Sequence, residues 1–429
     1  MTEPGGTSAN RHTERDSLLM QRARTVALTA RRRTAPNPWV GCVLTDATGS
    51  VIAEGATEPP GGRHAEAVAL HLAGNRARGG IAYVTLEPCS HHGRTPPCAD
   101  ALIAAGIARV VVAIGDPDPD VAGQGIDRLR AAGVDVAVGV HAAGVREDLA
   151  PYLLHRTQGR AFTVVKTAMS LDARSAARDD SSRWITSPEA RADAHELRAD
   201  SQAVMVGAGT ALADRPSLTV RDIADPATQP AQLPLRVVLD SRGRVPAEGP
   251  LFDTSLAPTL VVTTPVVSDA AHQAWLAAGA KVLTVPQSKR RTGVDLVATL
   301  ETLAGLGVLQ VLVEGGAELH GAILAQGLAD RVVAYVAPTL LGRDGRPAFS
   351  VAGPATITDA QRWLLTDVRR LGPDVRLDYT PATDVGEHGG GVDLDARAAL
   401  VGDDRAHGAE LLDDPGEHQE RSPTSVAGV

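Results

Sequence analysis

Cysteine is scarce in this sequence, with three in 429 residues, and two of them, Cys89 and Cys98, stand close together. A disulfide framework is therefore excluded, and the absence of a secretory segment agrees with that. Aromatic residues make up only 3%, so Val, Ala and Leu must do the packing. No apolar run approaches the ~20 residues needed to cross a bilayer. The start, Met1 to Asp16, is polar and mixed in charge, lacks the apolar core of a signal peptide, and is read as a flexible N-terminus. A soluble cytoplasmic protein with no membrane partner is expected. No basic stripe is present, which argues against nucleic acid as a partner. The net charge of −9 is concentrated at the end, where residues 381–429 carry eleven acids and three bases. The rest is nearly neutral. That tail, with Gly389-Gly390-Gly391 and then an acidic run, is expected to be a disordered, solubilising extension.

What remains is long enough for two domains. Strand and helix patterns alternate throughout, the signature of an α/β layer fold. A helix is expected over Ser17–Ala30, ended by Pro36 and Pro38, then strands around 40–44 and 51–54. A helix over Ala65–Ala73, strands at Ile81–Leu86 and Arg109–Ile114, a helix at 125–132 and a strand at 134–140 follow. Residues 151–159 read as a link between the halves. Beyond it, strands are expected at 162–166, 203–206, 235–239, 259–263, 281–285, 308–313 and 331–337. Helices are expected near 188–200, 268–278, 296–305 and 317–326.

The chemistry gathers at Gly61-Gly62-Arg63-His64-Ala65-Glu66 and at the run from Glu87 to Cys98. Zinc takes imidazole nitrogen and thiolate readily, and a catalytic zinc keeps three protein ligands and one open position. His64, Cys89 and Cys98 supply those three. Zinc lowers the pKa of water from about 15.7 towards about 7. Glu66 would then shuttle the proton, as in nucleobase deaminases. Cys98 follows Pro96-Pro97 and opens an apolar helix stopped by Gly106, a position that favours the thiolate. A closed structural site with His91 or His92 as fourth ligand is the alternative, as are unmetallated thiols. Glu66 has no purpose in a closed site. Positions i and i+2 of a regular helix do not share a face, so His64 must precede the regular helix for both side chains to meet.

Asn37, between two prolines, could read the edge of a small ring or simply make a turn. Arg94 and the two histidines beside it suit an anionic substrate, or form a solvated loop. Two glycine-rich turns, 206–210 and 313–317, could approach phosphate, or be plain tight turns. Neither completes a dinucleotide fingerprint, because Leu212 stands where the third glycine would be. The long spacing between Cys89 and Cys98 also departs from nucleic-acid editing deaminases, whose paired cysteines are two residues apart.

Several runs together resemble the RibD family of bifunctional riboflavin-biosynthesis proteins. They are Asn37-Pro38-Trp39-Val40-Gly41, His64-Ala65-Glu66, the Cys89-to-Cys98 run with Gly93-Arg94-Thr95-Pro96-Pro97, Asp116-Pro117, and Val121 to Ile126. In the second half they are Lys166 to Asp172, Ser182 to Ser187 and Ala211 to Arg221. The resemblance implies a cytidine-deaminase-like three-layer domain over 17–155, then a dihydrofolate-reductase-like α/β domain over 156–380. It implies deamination of 2,5-diamino-6-ribosylamino-4(3H)-pyrimidinone 5′-phosphate with Zn2+, then reduction of the ribosyl chain to ribityl with NADPH. Matched by motif position, Lys166 is an active-site lysine, and Ser182, Arg198, Leu218, Arg221 and Glu314 join Asn37 in touching substrate. Ala168, Trp184, Thr210, Asp214, Ser241 and the turn Gly316-Ala317-Glu318-Leu319 would touch NADPH. A homo-oligomer through the reductase half is implied as well. The alternative is an active deaminase whose second half only binds NADPH or dimerises. Ala173 stands where the family has glycine, and Arg178-Asp179-Asp180 and Arg215 also depart from the pattern. If that glycine serves a left-handed turn, alanine there costs about 1 kcal/mol.

Overall fold

The computed structural model describes residues 13–90, 96–119, 121–223, 229–289 and 293–382. The acidic tail, the first twelve residues, and His91 to Thr95 with Arg94 among them lie outside the described residues.

The chain begins with α1 (Glu14–Leu28), three residues earlier than its apolar pattern suggests. Thr13 and Asp16 form a reciprocal capping box: Thr13 Oγ1 accepts from the Asp16 amide at 3.0 Å, and the Asp16 carboxylate accepts from the Thr13 amide at 3.2 Å. Residues 13–16 therefore belong to the fold rather than to a flexible terminus. Asp16 is buried because Tyr83 Oη donates to it at 3.0 Å and Arg109 pairs with it at 3.2 Å.

Next come β1 (Gly41–Thr45), β2 (Val51–Ala56), α2 (Ala65–Ala73), β3 (Ile81–Leu86), α3 (Cys98–Ala105) and β4 (Arg109–Ile114). The half continues with α4 (Gln124–Ala131), β5 (Asp135–Val138), α5 (Ala142–Asp148) and α6 (Ala150–Gln158). The sheet order is β2-β1-β3-β4-β5, antiparallel around β1 and parallel from β3 onwards. All five residues of β1 are buried, so both faces of the sheet are covered. Helices α1 and α5 touch each other, while α2, α3 and α4 form a second contiguous layer. Parallel strands buried on both faces read as unbroken apolar runs, which is why Arg109–Ile114 was legible.

The expected link at 151–159 is helical. Tyr152 of α6 is buried and donates to both Asp116 oxygens at 3.1 Å, which pins the helix to the first half. Proline at the second helical position suits a helix start, since its missing N–H would have had no partner there.

The second half runs β6 (Phe162–Ser170), β7 (Arg174–Ala176), α7 (Pro188–Ala199), β8 (Ala203–Gly207), α8 (Ala208–Asp214), β9 (Leu235–Leu239), β10 (Thr259–Thr263) and α9 (Asp269–Ala277). It ends with β11 (Lys281–Thr284), α10 (Leu296–Gly305), β12 (Gln310–Val313), α11 (Ala317–Ala325), β13 (Arg331–Ala337), β14 (Arg346–Pro347), β15 (Trp363–Leu371) and β16 (Asp374–Pro381). Nine strands form one sheet in the order β11-β10-β9-β8-β12-β6-β13-β16-β15. It is parallel as far as β13 and antiparallel through β16 and β15. The apolar periodicity missed β15 and β16, because β15 is a half-exposed edge strand and β16 hides Arg376 and Asp378. Those two buried charges pair with each other at 2.8 Å. The first glycine-rich turn leads from strand to helix as read, into the short α8, which starts inside the turn.

The two halves share contacts. Arg32 meets Glu196 at 2.7 Å and Asp200 at 2.6 Å, and Leu309 of the second half packs into the core of the first.

Candidate functional site

Three elements bring the first site together. His64 is the residue before the first turn of α2, where the backbone is still extended. Cys89 follows the end of β3, and Cys98 opens α3 after Pro97. His64 Nδ1 lies 3.5 Å from Cys89 Sγ and 3.3 Å from Cys98 Sγ. The three donor atoms all lie within 4.8 Å of one another, the one such group among the described residues. One imidazole nitrogen and two sulfurs at that spacing, with no fourth protein ligand among the described residues, fit a zinc ion with an open position.

The electrostatics agree. The Cys98 side chain and the His64 imidazole, with the Cys98 amide at 3.3 Å, hold the Cys89 thiol down at about 4 despite burial. Cys98 is pushed up by Cys89 and by burial. Glu66, in the first turn of α2, is only 3% exposed, and burial raises its carboxyl to about 7. Such a group holds and releases a proton near neutral pH. Cys89, His64 and Cys98 all act electrostatically on this carboxyl, so it stands beside the three donors. Asn37 sits in the turn before β1, with its amide donating to Thr34 O at 2.8 Å. No side-chain hydrogen bond ties it to the His64 group among the described residues.

The second site forms at the carboxyl ends of adjacent parallel strands, where open α/β sheets bind ligands. Lys166 of β6 and Glu314, just past β12, approach to 3.6 Å. Arg198 of α7 forks onto both Glu314 oxygens and donates to Thr219 O at 2.9 Å. Burial opposes a charge on Glu314, but Arg198 and Lys166 overcome it and hold the carboxyl at about 2. Lys166 also lies over the Tyr335 ring at 5.7 Å. Thr219 O is thus fixed from one side, and the Arg221 amide donates to His195 Nδ1 at 3.2 Å from the other. Leu218 is buried with φ of 52°, and its side chain belongs to a core cluster.

Several of the residues expected at the cofactor stand where neighbouring parallel strands end and the next helices start. Thr210 sits in the first turn of α8, and its hydroxyl lies 3.4 Å from where a Cβ on Gly316 would be, so the two glycine-rich turns adjoin. Each turn leads directly into a helix, as phosphate binding requires. Leu319 covers Gly207 and Gly315, Ala317 is buried and Glu318 is exposed. Arg183 donates to Asp214 O at 2.8 Å, which places the Ser182–Trp184 loop beside the end of α8. Trp184 is 69% exposed, with the Arg191 guanidinium 4.4 Å from its ring. Ala168 packs beside Tyr335 in β6, and Ser241 O accepts from Thr264 Oγ1 at 2.8 Å past β9. This lining of glycine turns, helix starts and an exposed tryptophan fits a dinucleotide.

Ala173 has φ of 58°, so the family glycine position is a left-handed turn. Arg215 caps α8 with φ of 42° and pairs with Glu248 at 3.3 Å on the surface. Two residues escaped the sequence reading. His195 lies one turn before Arg198 on α7, a spacing that could have flagged it. Glu87, directly before Pro88-Cys89, is buried and accepts from four backbone amides, at Asp116, Gly123, Gly125 and Ile126. The Gly-x-Gly pair at 123–125 was its only trace in sequence.

Comparison with known proteins gives two family matches, the cytidine and deoxycytidylate deaminase zinc-binding region over residues 13–114 and the RibD C-terminal domain over 161–377. Riboflavin biosynthesis protein RibD of Escherichia coli is 40% identical over 369 residues, covering 84% of this chain and 98% of that protein. Its Mycobacterium tuberculosis counterpart is 41% identical over 346 residues, 80% of this chain and 91% of that one. Among solved structures, Acinetobacter baumannii RibD superposes with a TM-score of 0.77 at 38% identity, covering 86% of this chain and 99% of that one. A Thermotoga maritima structure, described as a diaminohydroxyphosphoribosylaminopyrimidine deaminase/5-amino-6-(5-phosphoribosylamino)uracil reductase, gives 0.75 at 30% identity, covering 86% of this chain and all of that one.

Proposed function

The chain belongs to the RibD family and is a bifunctional deaminase and reductase of riboflavin biosynthesis that uses zinc and NADPH, and from that premise we propose which residues do the work. The deaminase part spans residues 13–155 and the reductase part 156–382. The substrates are the diamino-pyrimidinone ribosyl phosphate and then 5-amino-6-(5-phosphoribosylamino)uracil. One observation carries the reading: a His/Cys/Cys donor set within 4.8 Å, with the buried Glu66 carboxyl beside it.

His64, Cys89 and Cys98 would hold the zinc, which when bound would make water nucleophilic at neutral pH. Glu66 accepts the proton of the attacking water and passes protons to the ring nitrogen and the departing amine, which leaves as ammonia. Asn37 orients the pyrimidine. In the second half, bound NADPH would supply the hydride for the ribosyl carbon. Lys166 supplies the accompanying proton, with Glu314 beside it holding the ammonium. Arg198, held by Glu314, fixes the 219 backbone, and Arg221 with Ser182 and the Leu218 backbone grips the ribosyl phosphate. Ala168, Trp184, Thr210, Asp214, Ser241 and residues 316–319 seat the dinucleotide.

Mass spectrometry of the diamino-pyrimidinone ribosyl phosphate after incubation with the protein tests this. Amino-to-oxo exchange without NADPH, then a gain of two hydrogens only when NADPH is present, is the expected result. Exchange without hydrogen gain would favour a silent second half. No exchange with zinc bound would mean the substrate is wrong.

The protein is a homo-oligomer through the edge strand β15, where Leu364, Leu365 and Val368 are 49%, 43% and 56% exposed. An edge strand with exposed apolar side chains invites pairing with a second copy. Light scattering of Leu365→Lys/Val368→Lys should report a smaller species. Its place is the cytoplasm, where thiolate ligands stay reduced. No helix among the described residues is long and apolar enough to cross a membrane. Cell fractionation tests the location.

A further inference from the structure

We propose that Glu87 is a positioning residue of the deaminase centre, presenting Cys89 to the metal by clamping the backbone of the turn between β4 and α4. The inference rests on the reading of His64, Cys89 and Cys98 as zinc ligands. Glu87 is 4% exposed and has no cationic partner among the described residues. Its charge is met by backbone alone. Oε1 accepts from the amides of Gly125 at 3.0 Å and Ile126 at 3.2 Å, and Oε2 from those of Asp116 at 3.2 Å and Gly123 at 3.0 Å. Gly125 and Ile126 belong to the first turn of α4, where free N–H groups and the helix dipole favour a negative charge. Both oxygens are thus engaged twice.

The clamp acts on the ligand next to it. The Glu87 amide donates to Ile114 O at 3.0 Å, which ties it to the end of β4. Pro88 O sits so close to α4 that a Cβ on Gly125 would lie 1.8 Å from it. Cys89 O accepts from the Ala99 amide at 3.2 Å, and Cys89 Sγ accepts from the Cys98 amide at 3.3 Å. The Glu87–Cys89 backbone is thus fixed between the turn and α3, and the direction of Sγ follows from it. Groups that orient metal ligands from outside typically matter 10- to 100-fold in metal affinity.

The geometry suggests a specific perturbation. Glutamine at 87 keeps the size of the side chain but can accept at one end only. Its NH2 would face two of the four amides, donor against donor, so one arm of the clamp must open.

The experiment uses the full chain, with zinc affinity measured by competition against a colorimetric chelator and the ligand field read from the cobalt-substituted protein. Reductase turnover on the same chain reports folding. For Glu87→Gln we expect a zinc Kd raised about 10- to 100-fold, a weaker cobalt–thiolate charge-transfer band, and reductase turnover within twofold of wild type. Gly125→Ala should give the same signature, because its Cβ displaces the Pro88 carbonyl; it decides the matter if Glu87→Gln also loses reductase activity. Wild-type zinc affinity and an unchanged cobalt spectrum in the variants would overturn the proposal, even if they melt earlier. A wild-type chain that takes up no zinc would overturn the ligand reading itself, and this proposal with it.

Discussion

Replacing Glu314 by glutamine removes the anion from a buried cationic pair. In the native chain, Arg198 donates to Glu314 Oε2 at 3.0 Å and Lys166 lies 3.6 Å from the same oxygen. The Glu314 side chain is only 10% exposed, so little solvent screening applies. Burial alone would raise its pKa, yet the two cations lower it from 4.5 to about 2. That lowering corresponds to about 3 kcal/mol favouring the ionised form in the folded state. Because the native pKa lies below the unfolded one, the stability is fully present above pH ~4.5 and is lost as pH falls towards 2. Urea unfolding followed by tryptophan fluorescence suits the test, since Trp184, Trp275 and Trp363 of the four tryptophans lie in the reductase half. At pH 7, Glu314→Gln should unfold about 3 kcal/mol more easily, in line with the cost of stranding one partner of a buried ion pair. By pH 3.5 the gap should narrow by roughly 1.4 kcal/mol, as the unfolded carboxylate of the wild type takes up its proton. Equal stability at pH 7, or a gap that widens on acidification, would refute the reasoning.

Glu66→Gln should reduce deamination at least ~100-fold while zinc content and NADPH-dependent reduction stay normal, since only the proton carrier is lost. Near-normal deamination in that variant would sink the shuttle assignment. Stripping the metal with a strong chelator should stop deamination and leave reduction of the deaminated intermediate intact, measured as NADPH oxidation at 340 nm. Loss of both activities together would place metal dependence outside the His64 group. Ala173→Gly should raise the melting temperature of the reductase transition by an amount equivalent to at most ~1 kcal/mol, because glycine relieves the left-handed strain but adds freedom to the unfolded chain. A clear drop in melting temperature would show that Ala173 carries no strain.

Local pattern and side-chain chemistry determined a good part of this protein. The helix Ala65–Ala73 and the strands Ile81–Leu86, Arg109–Ile114 and Arg331–Ala337 were legible residue by residue, because strands covered on both faces must be apolar without interruption. The meeting of His64, Cys89 and Cys98 was legible because few residue types hold zinc and the helix period forces His64 ahead of α2. The left-handed turn at Ala173 was legible from the resemblance to the RibD family, which has glycine at that position.

Other features depended on contacts distant in sequence. Asp16 looks like one more acid of a polar leader until Tyr83 and Arg109 close over it. Arg376 and Asp378 break the apolar pattern of β16, and that strand is tolerable because Asp193 of α7 and Arg331 of β13 reach these two charges inside the sheet. Glu87 has nothing to accept from until β4 and α4 bring four amides to its carboxylate. Hydrophobic period and ligand type are local properties and can be read along a chain, whereas the partner that makes a buried charge affordable comes from another element. Only the tertiary structure decides which carboxylates go inside.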